Sequence, residues 1–473
     1  MANTDSQSAI LNDVFELIQK WMEDSGNSEL PVNTYLKPEE LEAETQFKLP
    51  SRGSGDRELI SDIQTYLKYA VRTGHPRYVN QLFGGFNFPA FLGEVITALT
   101  NTSMYTFEVS PMATLMENEL IKKMLSYTGW ESGNGSFLTG GSNTNMVAML
   151  LARNTIFKGA KHEGITGLPK LAILVSERSH FSMLKGANTI GIGQGGVVKV
   201  SLDDQGRMRG AAVEAAIEET LKKGYMPFMI CSTAGTTETG SFDAIEEVSE
   251  VAEKYELWHH VDGSWGGSII LSDKRRELFR GLERADSFSW NPHKLMNIPL
   301  ICSVLLVKNP NVMREEIQSH DADYIYHENE TSHYDLGPGS LQCGRRVDSL
   351  KLWLAWKYFG DDGYAGRIEK LFDLANYATN AITESDDLEL LFPTQTLNVN
   401  FRFKTPDDVD ADRLNETIRY NLLKKGEVMV NYCRLKQGLA IRLVLLNPDV
   451  ETEDIDDILE LIQKEGKVLL SEK

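Results

Sequence analysis

The sequence has few cysteines, a deficit of basic side chains and no long apolar run. Its 4 cysteines are widely spaced and form no C-x-x-C pair, so we expect reduced thiols, with neither a disulfide framework nor a metal site. The 68 acidic side chains outnumber the 48 basic ones, and the net charge of -20 argues against nucleic acid or an anionic membrane as a partner. No apolar stretch approaches the ~20 residues of a bilayer span, and the first residues lack the pattern of a secretory signal. We therefore expect a cytoplasmic protein.

Nucleotide-binding motifs are also missing or out of context. Residues 136–145 place glycines before small hydroxyl and amide residues at the start of an apolar helix, but no Gly-Lys-Ser/Thr follows them. This segment is either an N-capped helix after a glycine turn or a phosphate site at a helix N-terminus. A G-x-G-x-x-G match at 191–196 runs into a strand-like stretch instead of opening a helix, so we interpret it as a turn.

The length of the chain and the pattern of residues along it indicate three parts. With 473 residues and 41% hydrophobic composition, the chain can form a large core and one or two smaller domains. Residues 1–70 combine an amphipathic helix at 10–22 with an extended arm, and we expect this helix to pack on the body or, preferably, on a second subunit. Residues 71–350 are predicted to form the large domain, and 351–473 a small C-terminal α/β domain.

Strands and helices alternate through the large domain. The predicted strands are 171–175, 197–200, 227–231 and 257–261, and the predicted helices are 211–223 and 245–255. This order predicts a mostly parallel central sheet with helices on both faces. Ligands of such sheets bind at the carboxyl ends of the strands, where His180, Thr236, Asp262 and Lys294 all fall.

Lys294 and Asp262 suggest the chemistry of this edge. Most lysines are solvated surface charges, but Lys294 lies between a strand-like stretch and an apolar run, where a lysine can lose its proton and form a Schiff base with a carbonyl. Asp262 stands at the end of the predicted strand 257–261, upstream of Lys294. It would pair with the ring nitrogen of a pyridine cofactor. Pyridoxal 5′-phosphate (PLP) withdraws electrons well only while that nitrogen is protonated, and a buried carboxylate favours the protonated form. The pair therefore points to PLP.

Other polar residues have two interpretations each. His180 is either an ordinary histidine or a neutral imidazole stacked on a ring, whereas His259 and His260 point to opposite faces of a strand and are expected to be structural. Arg442 lies in an apolar strand and needs an acidic partner, which is either a structural carboxylate or a substrate carboxylate. The polar segment 320–339 is either a mobile lid or a connector.

Together these motifs resemble those of the group II PLP-dependent amino-acid decarboxylases, in the branch that holds glutamate and cysteine sulfinate decarboxylases. The resemblance runs from about Gly74 to the C-terminus. The motifs that carry it occur in the family's order: Gly-Gly-Ser at 140–142, Ala-Gly-Thr-Thr at 234–237, Val-Asp at 261–262, Asn-Pro-His-Lys at 291–294 and Cys-Gly-Arg-Arg-Val-Asp at 343–348. The resemblance implies a PLP-dependent transferase fold of type I and a homodimer with sites at the subunit interface.

The resemblance also implies roles for single residues. Lys294 would bind the cofactor covalently, Asp262 would pair with the ring nitrogen, His180 would stack on the ring and Thr236 would lie near the ring oxygen. The residues implied to surround the phosphate are Ser142, Asn143, Thr144, Asn291 and His293.

Substrate recognition and protonation are implied in the same way. Gln81 and Arg442 would hold the acid groups of the substrate. The catalytic lid would fall in 320–338, where Tyr334 is the best candidate for the proton donor and Tyr324 and Tyr326 are the alternatives. At 263–264 the chain carries Gly-Ser where relatives usually have two alanines, from which we expect altered packing and no loss of chemistry.

The expected reaction is α-decarboxylation of a small acidic amino acid, namely cysteine sulfinate, cysteate or aspartate. Phe83 and the segment 107–111 resemble the cysteine sulfinate and aspartate enzymes, and a bulky Phe83 would shorten the pocket. The alternatives are a glutamate decarboxylase that makes GABA and, in another class, a non-catalytic PLP-fold binding protein. Arg442 and Gln81 argue against an aromatic substrate.

Overall fold

The structure is a computed structural model that describes residues 4–45, 47–319, 322 and 324–471. It contains two compact units, one formed by Met1–Phe86 with Leu371–Lys473 and the other by Asn87–Lys370. The three-part division expected from the sequence, with boundaries after residues 70 and 350, remains a prediction.

The helices and strands of the described residues follow in chain order. The α-helices are α1 (Thr4–Ser25), α2 (Pro38–Glu44), α3 (Asp56–Tyr69), α4 (Phe88–Thr100), α5 (Pro111–Leu125), α6 (Gly141–Ile156), α7 (Ala160–Glu163), α8 (Ser182–Thr189), α9 (Gly210–Lys222), α10 (Ile245–Lys254), α11 (Val312–Ile317), α12 (Asp348–Glu384), α13 (Ala411–Lys425) and α14 (Thr452–Ser471). The strands are β1 (Tyr78–Val79), β2 (Asn134–Leu138), β3 (Lys170–Ser176), β4 (Val197–Val200), β5 (Tyr225–Thr233), β6 (Trp258–Gly263), β7 (Ser287–Trp290), β8 (Ser303–Val307), β9 (Leu388–Leu390), β10 (Asn398–Phe403), β11 (Met429–Leu435) and β12 (Gly438–Val444).

The unit Asn87–Lys370 is built on a seven-stranded sheet in the order β2-β8-β7-β6-β5-β3-β4. The neighbours from β7 to β4 pair in parallel, and β8 runs antiparallel to both β7 and β2. The mostly parallel sheet expected from the sequence is confirmed. The match at 191–196 is a turn, because a short 3-10 helix at Gln194–Gly196 leads directly into β4.

Both faces of this sheet are covered by helices. Ile173 and Val175 of β3 pack in one apolar cluster with residues of α6 and α8, whereas Leu174 between them packs in another cluster with residues of α9 and α10. Side chains alternate between the faces of a strand, so a continuous apolar run such as β3 is what a sheet buried on both sides requires. This layering confirms the predicted fold class.

The other unit contains a five-stranded sheet in the order β1-β11-β12-β10-β9, in which only the short β1 pairs in parallel, with β11. The N-terminal arm lies on this unit: Val32 is buried, its N–H donates to the Gly426 carbonyl oxygen at 2.9 Å, and its own carbonyl oxygen accepts from Arg72 N–H at 3.0 Å. The arm is therefore fixed by backbone hydrogen bonds, while Leu11 and Phe15 of α1 stay exposed.

The sequence missed several elements. It predicted no helix at α4 or α8 and no strand at β2, and it treated α2 as part of an extended arm. No described helix is both long and apolar enough to cross a membrane.

Candidate active site

A cavity of about 200 Å³ lies at the carboxyl ends of the parallel strands. Its walls include six of the residues that the sequence singled out: Ser142, His180, Asp262, Asn291, His293 and Lys294. These residues come from four separate stretches of the chain, and the sheet brings them together because its parallel strands end at one edge.

The pairing of β6 with β7 positions Asp262 and Lys294. The two strands are parallel and in register, with Asp262 opposite Ser289 and Gly263 opposite Trp290. The chain therefore leaves β7 beside Asp262, and a turn closed by the Lys294 N–H on the Asn291 carbonyl oxygen, at 3.0 Å, follows at once. This geometry places the lysine on the cavity wall that the strand ends form.

Asp262 is almost fully buried but is well supplied with hydrogen-bond donors. Its Oδ1 accepts from the Ser264 N–H and from the Ser289 hydroxyl, both at 3.0 Å, and its Oδ2 accepts from the Asn145 amide at 2.7 Å. Burial alone would raise the pKa of Asp262, but the neighbouring His260 and these donors hold it below its ordinary value. Asp262 therefore faces the cavity as a carboxylate.

The two histidines of the cavity wall are neutral near pH 7. Burial lowers the pKa of His293 to about 3, and burial also lowers the pKa of His180. Ser182 N–H donates to Nδ1 of His180 at 3.3 Å, so the proton of the neutral His180 ring is on Nε2. A neutral imidazole can lie against an aromatic ring without placing a positive charge there.

The cavity wall at the start of α6 is built from small side chains. Helix α6 begins at Gly141, and a Cβ atom on this glycine would lie 2.6 Å from Nδ2 of Asn291 and 2.8 Å from Oγ of Ser264. The buried Oδ1 of Asn291 has no hydrogen-bond partner among the described residues. A helix N-terminus, a cradle that a methyl group would fill and an unpaired polar atom fit the phosphate end of PLP, and Asp262 and Lys294 fit its ring nitrogen and its aldehyde.

Three predicted cofactor residues lie beside the cavity and are not part of its lining. Asn143 and Thr144 belong to the first turn of α6, where the Thr144 hydroxyl donates to the Gly141 carbonyl oxygen at 2.8 Å. The Thr236 hydroxyl is buried 2.7 Å from that of Thr239, while Thr237 lines the cavity.

The residues predicted to bind substrate belong to the unit with the five-stranded sheet. Arg442 on β12 is only 5% exposed, and its Nη2 donates to the Asn80 carbonyl oxygen at 3.3 Å. Gln81 follows directly, and the Phe83 ring lies 6.2 Å from that of Tyr78 on β1. Strand β1 thus brings the segment of Gln81 and Phe83 to Arg442.

The predicted lid, 320–338, is described in part, because residues 320, 321 and 323 lie outside the described ranges. Tyr334 is 37% exposed and its ring centroid lies 5.2 Å from that of Phe107. Tyr324 is 79% exposed, and burial raises the pKa of Tyr326.

Sequence reasoning missed several residues of the site. Asn145, Ser289 and the Ser264 N–H hold Asp262, and Trp265 also lines the cavity. Asn145 gave one usable signal, since it stands four residues after Gly141 at the start of an otherwise apolar helix. A buried amide needs partners, which the sequence alone did not identify.

Several known proteins are similar to this chain in sequence and in fold. A family model described as the pyridoxal-dependent decarboxylase conserved domain matches residues 38–404. The chain is similar to cysteine sulfinic acid decarboxylase of Mus musculus, with 37% identity over 98% of this chain and 96% of that protein. It is also similar to an acidic amino acid decarboxylase of Bos taurus, with 36% identity over 91% of this chain and 85% of that protein. A crystal structure of mouse CSAD in apo form matches with a TM-score of 0.94 and 36% identity, over 98% of this chain and 99% of that chain.

Proposed function

Because the chain belongs to the family of pyridoxal-dependent decarboxylases, it is a carboxy-lyase that uses PLP, and we propose that it decarboxylates a small acidic amino acid. The proposed substrates are cysteine sulfinate, cysteate and aspartate. The observation that carries the acidic class is Arg442, a guanidinium that is 5% exposed on an apolar strand. A buried guanidinium can donate two hydrogen bonds to two oxygens of one acid group, whether carboxylate, sulfinate or sulfonate, and an aromatic side chain offers no such oxygens.

Each residue of the site has a proposed task. Bound PLP supplies an electron sink for the bond to the α-carboxylate. Lys294 would hold the cofactor at its aldehyde carbon, Asp262 would accept a hydrogen bond from its protonated ring nitrogen, His180 would stack on its ring and Thr236 would lie near its ring oxygen. Ser142, Asn143, Thr144, Asn291 and His293 surround the phosphate.

Recognition and protonation fall to other residues. Arg442 and Gln81 hold the acid group of the substrate side chain, and Phe83 limits its length. Tyr334 delivers a proton to Cα after carbon dioxide leaves, with Tyr324 and Tyr326 as the competing donors. Replacing each tyrosine with phenylalanine in turn tests this assignment, because loss of the true donor slows product formation while substrate binding remains.

A panel of acidic amino acids tests the substrate class. Purified enzyme with PLP is incubated with cysteine sulfinate, cysteate, aspartate and glutamate, and the amines and carbon dioxide are quantified. We expect a larger kcat/KM for the three shorter acids than for glutamate. Faster turnover of glutamate would instead support a glutamate decarboxylase that makes GABA.

Lys294→Ala separates an enzyme from a non-catalytic PLP-binding protein. We expect this variant to lose carbon dioxide release by several orders of magnitude and to lose the visible absorbance of the covalently bound cofactor, because a nucleophile that is part of the chemistry cannot be replaced. Lys222→Ala, on the exposed surface of α9, is the matched control and should keep both. A wild-type protein that binds PLP but forms no product would support the binding protein.

We also propose a homodimer in the cytoplasm. Exposed apolar side chains recur along one side of α4, which is typical of a surface that a second copy covers. They are Phe88, Leu92, Val95, Ile96 and Leu99. We further propose that 1–70, 71–350 and 351–473 act as N-terminal arm, PLP-binding domain and small domain, with α1 packed on the partner subunit. Deleting residues 1–25 should then weaken the dimer.

A further inference from the structure

A buried row of polar groups leads from the interior of the sheet to Asp262. Trp258 Nε1 lies 2.8 Å from Ser287 Oγ, and the same hydroxyl lies 2.9 Å from Nδ1 of His260. On the other side of the ring, Nε2 of His260 lies 3.1 Å from Oδ1 of Asn145. The Asn145 amide nitrogen then donates to Oδ2 of Asp262 at 2.7 Å.

The chemistry of the two end groups fixes the direction of every hydrogen bond in this row. An ionised Asp262 can only accept, so Asn145 turns its NH₂ group toward it and its Oδ1 toward His260. Nε2 of His260 must then carry a proton, and because burial lowers the pKa of His260 to about 4, the ring is neutral and Nδ1 accepts from the Ser287 hydroxyl. The indole N–H of Trp258 can only donate, which matches the remaining acceptor position of Ser287.

All links of the row are shielded from solvent. Ser287 and His260 are 0% exposed and Asn145 is 1% exposed. A hydrogen bond in such surroundings is costly to lose, because no water replaces the missing partner. The Asn145 nitrogen donates to Asp262 and to the Ser182 hydroxyl, which lies at 3.0 Å. Its oxygen accepts from Nε2 of His260 at 3.1 Å and from the more distant Ser289 hydroxyl at 3.4 Å, so His260 supplies the nearer donor that holds this side of the amide.

We propose that Ser287, His260 and Asn145 are positioning residues that hold Oδ2 of Asp262 as an acceptor for the ring nitrogen of PLP. This inference rests on the proposed role of Asp262. The Ser264 N–H and the Ser289 hydroxyl donate to Oδ1, whereas Oδ2 accepts from the Asn145 amide; since each carboxylate oxygen has about two acceptor positions, Oδ2 can also accept from the ring N–H. No residue of the row other than Asp262 lines the cavity, so His260 acts through Asn145 and Asp262 and touches no substrate.

The adjacent histidine provides a matched control. His259 lies on the same strand and is 1% exposed, and burial lowers its pKa to about 3. Its ring faces the other side of the sheet, where its nitrogens lie 2.8 Å from Ser232 Oγ and 3.0 Å from Ser249 Oγ. Replacing His259 disturbs a buried polar histidine without touching Asn145.

The test measures how tightly the full-length apoenzyme binds two cofactors. One is PLP, and the other is 1-deaza-PLP, in which a C–H group replaces the ring nitrogen. We expect His260→Leu to raise the Kd for PLP roughly tenfold and to leave the Kd for 1-deaza-PLP unchanged, since only PLP uses the hydrogen bond to Asp262. His260→Gln, which keeps a donor toward Asn145, should restore PLP binding, and His259→Leu should leave the ratio of the two Kd values as in the wild type.

Several outcomes would overturn the proposal. An equal loss of both ligands in His260→Leu would mean that the histidine only supports packing, and unchanged PLP affinity would mean that Asp262 needs no such orientation. Should His260→Leu fail to fold, Ser287→Ala removes a single hydroxyl and is expected to weaken PLP alone, by about threefold. Asp262→Asn tests the role of Asp262 itself. If this variant weakens the binding of PLP and of 1-deaza-PLP equally, the proposed role of Asp262 is wrong. If Asp262→Asn weakens only PLP but His260→Leu weakens both equally, only the positioning role of Ser287, His260 and Asn145 is refuted.

Discussion

Asp262 and Arg442 carry their charges at positions with little exposure to solvent. Asp262 is 3% exposed and keeps its negative charge because N–H and O–H donors replace the water that it loses. Arg442 is buried to a similar extent on the other unit. A buried guanidinium favours ligands with an acid group, because a charge-assisted hydrogen bond is stronger than one to a neutral group.

Phe83 allows a prediction at this scale. We expect Phe83→Ala to raise kcat/KM for glutamate relative to cysteine sulfinate by roughly tenfold, because a longer side chain gains room and each methylene group in a pocket is worth about 1–3 kcal/mol. Steady-state kinetics with both acids measure the ratio. Phe86→Ala, three residues along the same segment and 38% exposed, should leave the ratio unchanged. An equal change for both acids would remove Phe83 from substrate selection.

At the scale of elements, the β6–β7 pair of the site is tightly packed. A Cβ atom on Gly263 would overlap the Phe288 ring and lie 2.7 Å from the Ser289 carbonyl oxygen. Gly263 is therefore matched to the large aromatic ring of Phe288 on the next strand, which is 0% exposed. That this packing differs from the family's remains a prediction.

We predict that Gly263→Ala lowers the free energy of unfolding by about 1–3 kcal/mol through overpacking. Phe288→Leu should make room, so the cost of Gly263→Ala should be smaller in the Phe288→Leu background, and urea unfolding of the four proteins measures this coupling. Gly366→Ala is the control: it is a helical glycine with open space around its Cβ position, and it should stabilise by about 0.5–1 kcal/mol. Strictly additive effects of the two β6–β7 substitutions would contradict the explanation.

At the scale of the whole molecule, acid stability depends on buried histidines. Burial lowers the pKa of His259 and His293 to about 3 and that of His260 to about 4. Below about pH 6.5 these histidines bind protons in the unfolded chain but stay neutral in the folded chain. The stability that the neutral histidines contribute is therefore complete above that pH and is lost as the pH falls toward 4. Asp243 acts in the opposite sense, because burial raises its pKa to about 7 and the folded chain keeps a proton that the unfolded chain releases above about pH 4.

We therefore predict that the free energy of unfolding decreases as the pH falls from about 6 to 4.5. Each histidine lowers it by up to about 1.4 kcal/mol per pH unit, and Asp243 raises it by up to the same amount per pH unit. Urea unfolding at several pH values measures the slope. His259→Gln should reduce the slope by the share of one histidine, and an unchanged slope would show that His259 is not neutral in the folded state.

The association of two copies is the second prediction for the whole molecule. The double variant Leu92→Glu with Ile96→Glu places two charges on the apolar side of α4 and should convert the dimer into monomers, because burying unpaired carboxylates costs several kcal/mol. Sedimentation velocity measures the mass. Leu221→Glu, at a 48% exposed position on α9, should remain a dimer. A wild-type monomer would refute the proposal directly.

The sequence by itself determined the parallel sheet and the chemical pair at its edge. Continuous apolar strands such as 171–175 require burial on both faces, which predicts a sheet covered by helices. Asp262 ends one predicted strand and Lys294 follows another, so the local pattern was sufficient to place both residues at the edge of this sheet. It predicted no helix at α4, although Phe88, Leu92, Ile96 and Leu99 recur at helical spacing, and none at α8, which spans only 8 residues.

Only the tertiary structure decided which neutral groups support the charged ones. Asn145, Ser287, Ser289 and His260 are ordinary residues in sequence, and the number of residues between Asn145 and Asp262 says nothing about the 2.7 Å between their side-chain atoms. The direction of a hydrogen bond depends on the partner at each end, and those partners come from different strands and helices. A pattern along the chain reveals which face a residue occupies, whereas the partner it meets there is set by how the elements pack.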